Sequence, residues 1–170
     1  MAEPIRTAQP EFFPLTLERW DDFVDLFGPN GACSGCWCMF WRQTRQEFRQ
    51  NAGMRNREAM HALVASGQVP GILIYQDGQL HAWCSIAPRE HFASLQRSRT
   101  LKRLDAQPVL SIVCFYIARK VRRAGLMDAC IRAGIRPPQL RGYGGSLSTG
   151  CARQTRRYGP LYGQPGRFLA

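Results

Sequence analysis

The sequence predicts an α/β (α+β) domain on three observations. Two helical segments come first, an apolar β-hairpin turning at Asp77-Gly78 follows, and residues 109–117 form the longest β run. A further helix is expected after that run, over residues 124–133. With 170 residues, of which 45% are hydrophobic and 21% charged, the chain fits one domain with a short appendage and excludes wholesale disorder.

The N-terminal elements follow from caps and periodicity. Residues 1–15 are expected to be extended or loose, because three prolines punctuate them. Thr16 is predicted to cap a helix over residues 17–27. The apolar residues of this helix recur at helical spacing: Leu17, Trp20, Phe23, Val24 and Phe27. A second helical region is predicted over residues 44–66, broken near 51–53 and closed by Gly67, with its core face formed by Met60, Leu63 and Val64.

The strands follow from β-rich runs and turn residues. Residues 69–75 and 80–86 are predicted to pair as a hairpin, and Pro88 is expected to end the second strand. Residues 89–107 are expected to form a basic, polar connection. The run over 109–117 is apolar on both faces, which is typical of a central strand.

The distribution of charge and the lack of long apolar runs make some classes of function less plausible for this chain. The net charge is +11, but residues 129–170 carry seven arginines and no acid, so residues 1–128 hold only +4. A specific nucleic-acid partner is therefore not expected, although a basic nucleic-acid-binding protein remains the alternative function. No apolar run is long enough for a membrane span and no export signal is recognised, so a cytoplasmic location and no membrane partner are expected.

A cluster of cysteines lies between the two helical regions. Cys33, Cys36 and Cys38 stand among aromatic residues, and three ligands without a nearby histidine do not complete a structural zinc site. A redox pair would be expected just after a strand, whereas here a helix and a turn precede the cluster. The preferred interpretation is therefore buried, reduced thiols, with no metal bound; metal or redox chemistry is the alternative.

The most informative segment covers residues 117–127, where a strand ends, a basic loop follows and a helix begins. Unpaired N–H groups in the first turn of a helix favour an anion such as a pyrophosphate. Gly125 allows the backbone to approach closely, and Arg122 and Arg123 add positive charge. The alternative is an ordinary basic loop that joins a strand to a surface helix.

At this segment the sequence resembles the GNAT superfamily of acyl-CoA N-acyltransferases, from about residue 12 to 135. The stretch over residues 31–42 also resembles one bacterial subgroup of that family. The resemblance implies a mixed, mostly antiparallel central sheet flanked by helices, and acetyl transfer from acetyl-CoA to an amine that the sequence does not identify. It implies a cofactor site in which Phe115, Tyr116 and Ile117 line the pantetheine arm. The pyrophosphate would be held by Arg122, Arg123, Ala124, Gly125, Leu126 and Met127.

The resemblance assigns no catalytic residue. Candidate bases are poor: Asp105 and Glu90 lie in the connection before the long strand, and Cys114 and Tyr116 lie on it. In the family a backbone N–H of that strand stabilises the thioester oxyanion, and a tyrosine on a later helix often protonates the leaving thiolate. The oligomeric state cannot be read from the sequence.

The C-terminal part departs from this pattern. We expect a domain over residues 1–136 and an irregular, basic tail over 137–170, which contains seven glycines, four prolines and five arginines. One hypothesis is a reading-frame shift near residues 133–139. A coding sequence read in the shifted frame can give short amino-acid sequences that resemble the family's C-terminal half. The C-terminal strands would then be missing, so the chain is expected to be a weak acetyltransferase, or an inactive remnant.

Overall fold

A four-stranded antiparallel sheet organises the fold. The computed structural model describes residues 9–122 and Leu126. The strands are β1 (Glu11–Pro14), β2 (Ile72–Gln76), β3 (Gln79–Pro88) and β4 (Leu110–Ile117), and they lie in the order β1-β2-β3-β4. The predicted α+β class, with an antiparallel sheet and flanking helices, is confirmed.

The helices are short and lie mainly before β2 and between β3 and β4. They are α1 (Trp20–Phe27), α2 (Arg45–Gln50), α3 (Met54–Ala65) and α4 (Ala93–Gln96). Three 3-10 turns accompany them, at Leu17–Arg19, Arg89–His91 and Arg119–Val121. In the part of the chain that the structure describes, no helix is long and apolar enough to cross a membrane.

Several predicted local features are confirmed. The second helical region is broken between α2 and α3, and Gly67, with φ of +81°, closes α3 by donating its N–H to the Val64 carbonyl at 3.0 Å. Thr44 begins α2 with a capping box, since its hydroxyl accepts from the Glu47 N–H while its own N–H donates to the Glu47 carboxylate. The hairpin turns at Asp77, as predicted, with Gln76 opposite Gln79.

The N-terminal expectations need correction in two places. Part of the segment expected to be loose is strand β1, which pairs with β2 with Phe12 opposite Ile74. The first helix begins as a 3-10 turn, and the Thr16 side chain makes no capping hydrogen bond. Leu17, placed on the core face by the helical spacing, is instead 53% exposed, because the 3-10 turn rotates it away from the α1 face.

The connection after β3 is also more structured than its polar composition predicted. The 3-10 turn at Arg89–His91 and helix α4 bury Phe92 and Leu95 against Ala87. The Arg89 side chain is buried and donates to the carbonyl oxygens of Leu95 and Leu101. A buried guanidinium bonded to main-chain oxygens therefore fixes this loop.

The sheet has an apolar core on each face. On one face, α1, α3 and residues 37–39 pack on Leu73 and Trp83, and Met60 and Val64 of α3 are buried there as predicted. On the other face the buried residues are Ile72, Ile74, Ala82, Cys84, Ile86, Leu110 and Leu126. The helix expected over residues 124–133, apart from Leu126, and the tail over residues 137–170 lie outside the described residues.

Candidate cofactor-binding site

The edge of β4 that faces away from β3 presents main-chain donors and acceptors. Ala118 donates its N–H to the His81 carbonyl at 2.9 Å, and Tyr116 lies opposite Trp83 in the register. Hydrogen-bonded and non-hydrogen-bonded pairs alternate along an antiparallel ladder, so the peptide groups of Phe115 and Ile117 point away from β3. Within residues 9–122, β3 is the one strand that pairs with β4, so this edge is open there.

The basic turn after β4 folds back onto that edge. Val121 donates its N–H to the Ala118 carbonyl at 3.1 Å, which closes the 3-10 turn. The Arg122 Nε then donates to the Ile117 carbonyl at 3.0 Å, which is consistent with an outward-pointing peptide group at Ile117. An exposed guanidinium is thereby held beside the last outward-facing peptide group of the strand.

A β-bulge changes the direction of the strand before this edge. Ser85 lies opposite Cys114 and Ile86 lies opposite Ile112, so Val113 is an extra residue on β4. A bulge adds one residue to one strand and increases the local twist. As a result Ile112 and Phe115, three positions apart, pack against the same apolar face of the sheet.

The predicted site residues divide between the two faces. Phe115 and Ile117 pack against the face that holds Leu126, and the Leu126 side chain is itself buried. Tyr116 points to the opposite face, with its ring centroid 5.2 Å from that of Phe27. Any contact that Leu126 makes with a cofactor would therefore use its main chain. The other predicted residues of the basic loop, Arg123, Ala124, Gly125 and Met127, lie outside the described residues.

The two carboxylates considered as bases are held locally. Glu90 is paired with Arg103 at 2.8 Å. Asp105 accepts the Gln107 N–H at 3.0 Å. Each carboxylate is therefore bonded within the connection that precedes β4.

The structure places the three clustered cysteines in three different environments. Cys33 is exposed, which corrects the expectation that all three are buried; Cys36 is partly exposed and Cys38 is buried. Burial raises the pKa of Cys36 to about 11, and the neighbouring Cys38 adds to this rise. Among the described residues no group of three or more potential ligands comes together to hold a metal ion.

Sequence reasoning missed the partner of Cys38. The Cys38 sulfur accepts the Trp83 Nε1–H at 3.1 Å. The influence of the Cys114 thiol, on β4, lowers the pKa of Cys38, and Trp83 and Ser85 add to this effect, whereas the influence of Cys38 raises the pKa of Cys114. The indole N–H can only donate, so the negative charge is favoured on Cys38 and the proton on Cys114.

Comparisons with known proteins find likenesses at the level of structure alone. No family model matches the chain, and no curated protein matches it. An aminoglycoside 6'-N-acetyltransferase from Acinetobacter haemolyticus is 15% identical, with 94% of each chain covered and a TM-score of 0.40. A second such enzyme from Acinetobacter baumannii is 12% identical, with 95% of this chain and 97% of that chain covered and a TM-score of 0.43.

A third solved structure, from Corynebacterium glutamicum, is described as histone acetyltransferase HPA2 and related acetyltransferase. It is 16% identical, covers 94% of this chain and 90% of its own, and has a TM-score of 0.45. The chain is thus similar over most of its length to solved acetyltransferases. Likenesses of this size assign it neither a family nor a substrate.

Proposed function

We propose that the chain binds acetyl-CoA along the open edge of β4 and transfers the acetyl group to an amine. The observation that carries the proposal is the outward-facing main chain of Phe115 and Ile117, which ends at the Arg122 guanidinium. An extended amide-containing arm can pair with such an edge as an added strand does. A guanidinium is well suited to a phosphate group at the end of that arm.

The role proposed for each residue follows from this geometry. The main chain at Phe115, Tyr116 and Ile117 lines the pantetheine arm, and residues 122–127 hold the pyrophosphate. The attacking amine must be neutral, and it displaces the thiolate directly from the thioester. A backbone N–H of β4 donates to the thioester oxyanion, which places the reacting carbonyl against the strand.

The extent of the domain belongs to the same proposal. Residues 1–136 form the acetyltransferase part and 137–170 form an added basic tail, which arises from a shift of reading frame. Reading the coding DNA near codons 133–139 tests this directly. If no single shift restores a longer α/β sequence, the tail is a genuine part of the chain.

Acetyl-CoA binding is measured by thermal shift and titration calorimetry on the full chain. Saturating acetyl-CoA is expected to raise the melting temperature, because a ligand that binds the folded state alone stabilises it. Arg122→Ala is expected to weaken binding at least tenfold, since a charge-assisted contact contributes about 1.5–3 kcal/mol. The matched control is Arg99→Ala, which removes an exposed arginine that belongs neither to β4 nor to the turn after it.

Two results would contradict the proposal. One is the absence of both a thermal shift and binding heat with acetyl-CoA. The other is an equal loss of affinity in the Arg122 and Arg99 variants, which would indicate attraction by net charge alone. Release of free thiol from acetyl-CoA in the presence of a panel of amines then measures transfer itself.

A further inference from the structure

Two cysteines in the turn after α1, which covers residues 28–38, have no part in the proposed transfer reaction. The Cys36 N–H donates to the Cys33 carbonyl at 2.9 Å, which closes a β-turn over residues 33–36. The first and last residues of a β-turn have Cα atoms less than about 7 Å apart. Disulfides join cysteines whose Cα atoms are about 4.4–6.8 Å apart, so the backbone brings Cys33 and Cys36 to the separation that a disulfide needs.

We propose that Cys33 and Cys36 form a dithiol that exchanges with a small-molecule disulfide, which converts the pair into a disulfide across this β-turn. Both cysteines are free in the structure, which therefore describes the reduced form. The inference concerns a modification site, and it does not depend on acetyl-CoA binding.

The exposure of the two thiols assigns their order of reaction. Cys33 is exposed, so a small-molecule disulfide can reach its sulfur, which lies 3.9 Å from the hydroxyl of Ser34 in the same β-turn. Cys36 is only partly exposed, and burial raises its pKa. Cys33 is therefore the attacking sulfur, and Cys36 closes the ring in the second step. That step is intramolecular, so the proximity of the two residues offsets the small fraction of Cys36 that is ionised.

The backbone of this β-turn is unusual for the residues that form it. Ser34 has a φ of 49° and a ψ of 39°, and Gly35 has a φ of +67°. Positive φ at both central positions is typical of a type I′ turn, in which glycine, asparagine and aspartate are the usual residues rather than serine. Ala32, just before the β-turn, has a φ of 68° and a ψ of −64°, which is a rare and strained conformation. Backbone of this kind is concentrated at functional sites and persists only where surrounding contacts fix it.

Contacts from outside the β-turn hold it in this conformation. The Gly35 N–H donates to the Asn30 carbonyl at 2.9 Å. The Gly35 carbonyl accepts the N–H of Gly53 and the side-chain amide of the fully buried Asn56, each at 3.0 Å. These three bonds fix the residue that precedes Cys36, so the folded chain holds the two cysteines close together before any oxidation.

Two neighbouring cysteines belong to the apolar cores and are less well placed to react with Cys33. Cys38 is buried, and its sulfur accepts the Trp83 Nε1–H at 3.1 Å within the core beneath α1. Cys84 is buried in the core on the opposite face of the sheet. A mixed disulfide at the exposed Cys33 should therefore be resolved by Cys36.

The chemistry balances with a small-molecule disulfide as the oxidant. The Cys33 thiolate attacks one sulfur of that disulfide, its S–S bond breaks, and the first small thiolate leaves. The Cys36 sulfur then attacks the Cys33 sulfur, the S–S bond of the mixed disulfide breaks, and the second small thiolate leaves. The protons released by Cys33 and Cys36 end on the two leaving thiolates. Two protein thiols are thus oxidised to one disulfide, and one small-molecule disulfide is reduced to two thiols.

Peptide mapping by mass spectrometry after incubation with oxidised glutathione tests the inference on the full chain. The reaction is stopped with acid, free thiols are alkylated in denaturant, and the chain is cleaved after arginine. One peptide, over residues 20–42, then contains Cys33, Cys36 and Cys38. We expect it to carry a single alkyl group, which fragment ions should place on Cys38, and an internal disulfide that a reducing agent removes. The control is the same treatment in urea, where the unfolded peptide should also give links that include Cys38.

Variants test the order of the two steps independently. Cys36→Ser should stop the reaction at the mixed disulfide, so glutathione on Cys33 should accumulate to about ten times its level in the unaltered chain. Cys33→Ser should give neither the adduct nor the link, and its exposed position should leave the chain folded, as circular dichroism can show. Cys38→Ala is the matched control and should retain the link. If that buried substitution prevents folding, the alkyl group on Cys38 of the unaltered chain answers the same question.

Three results would overturn the inference. In the folded chain, the link could join Cys38 to either of the other two cysteines. Glutathione could remain on Cys33 of the unaltered chain without ring closure, which would show that Cys36 is out of reach. Cys33 of the folded chain could also stay unmodified under conditions in which the unfolded chain reacts. None of these outcomes bears on acetyl-CoA binding, so the two proposals can fail separately.

Discussion

Replacing Gly35 by alanine tests how the turn after α1 is fixed to the start of α3. Gly35 has a φ of +67°, and a Cβ built on it would lie 2.7 Å from the Gly53 Cα. That neighbour is backbone, so no side-chain rotation can make room. The substitution must therefore move the turn away from Gly53, and it must stretch the bonds that the Gly35 carbonyl accepts from Gly53 and Asn56.

The loss of stability expected for Gly35→Ala has two parts of comparable size. A left-handed backbone costs an alanine about 1–2 kcal/mol. Each weakened hydrogen bond costs about 1 kcal/mol more. Gly35→Ala should therefore lower the free energy of unfolding by about 3–4 kcal/mol, a large share of the roughly 5–15 kcal/mol typical of a domain.

Gly67→Ala is the matched control. Gly67 also has a positive φ, +81°, but a Cβ there meets nothing within 4 Å. The free energy of unfolding of Gly67→Ala should therefore fall only by the cost of the left-handed backbone, about 1–2 kcal/mol. Urea denaturation of the two variants, compared at unchanged m-value, measures the difference. Equal losses in the two variants would show that the close packing of Gly35 on Gly53 does not contribute to stability.

The other predictions concern a cap, a titration, a thiol and the core. Thr44→Ala should lower the free energy of unfolding by about 1 kcal/mol, because it removes the capping hydroxyl of α2. An unchanged melting temperature would contradict this prediction. The Thr44 N–H holds the pKa of Glu47 below its usual range, so as pH falls through that pKa the wild type should lose stability while Glu47→Gln does not. Cys36, whose pKa is raised to about 11, should react slowly with iodoacetamide at neutral pH; reaction as fast as that of free cysteine would refute this. Phe23→Ala should cost about 3–5 kcal/mol at a fully buried site, whereas Leu104→Ala, at 92% exposure, should change chemical denaturation little.

The sequence predicted those features that depend on local signals. The break between α2 and α3 follows from a glycine next to turn-forming residues, and the hairpin follows from Asp77 and its glycine. Strand β1 was missed because its four residues show no alternation of their own. Phe12 lies in a strand only because it pairs with Ile74, far along the chain.

The candidate site shows a similar division between local and long-range information. Residue types and order placed Phe115, Ile117 and Arg122 at a strand end followed by a basic loop. Which peptide groups face outward depends on the register with β3 and on the bulge at Val113, and neither is visible in one sequence. The partner of Cys38 was missed for the same reason, since a hydrogen bond across the core leaves no spacing signal.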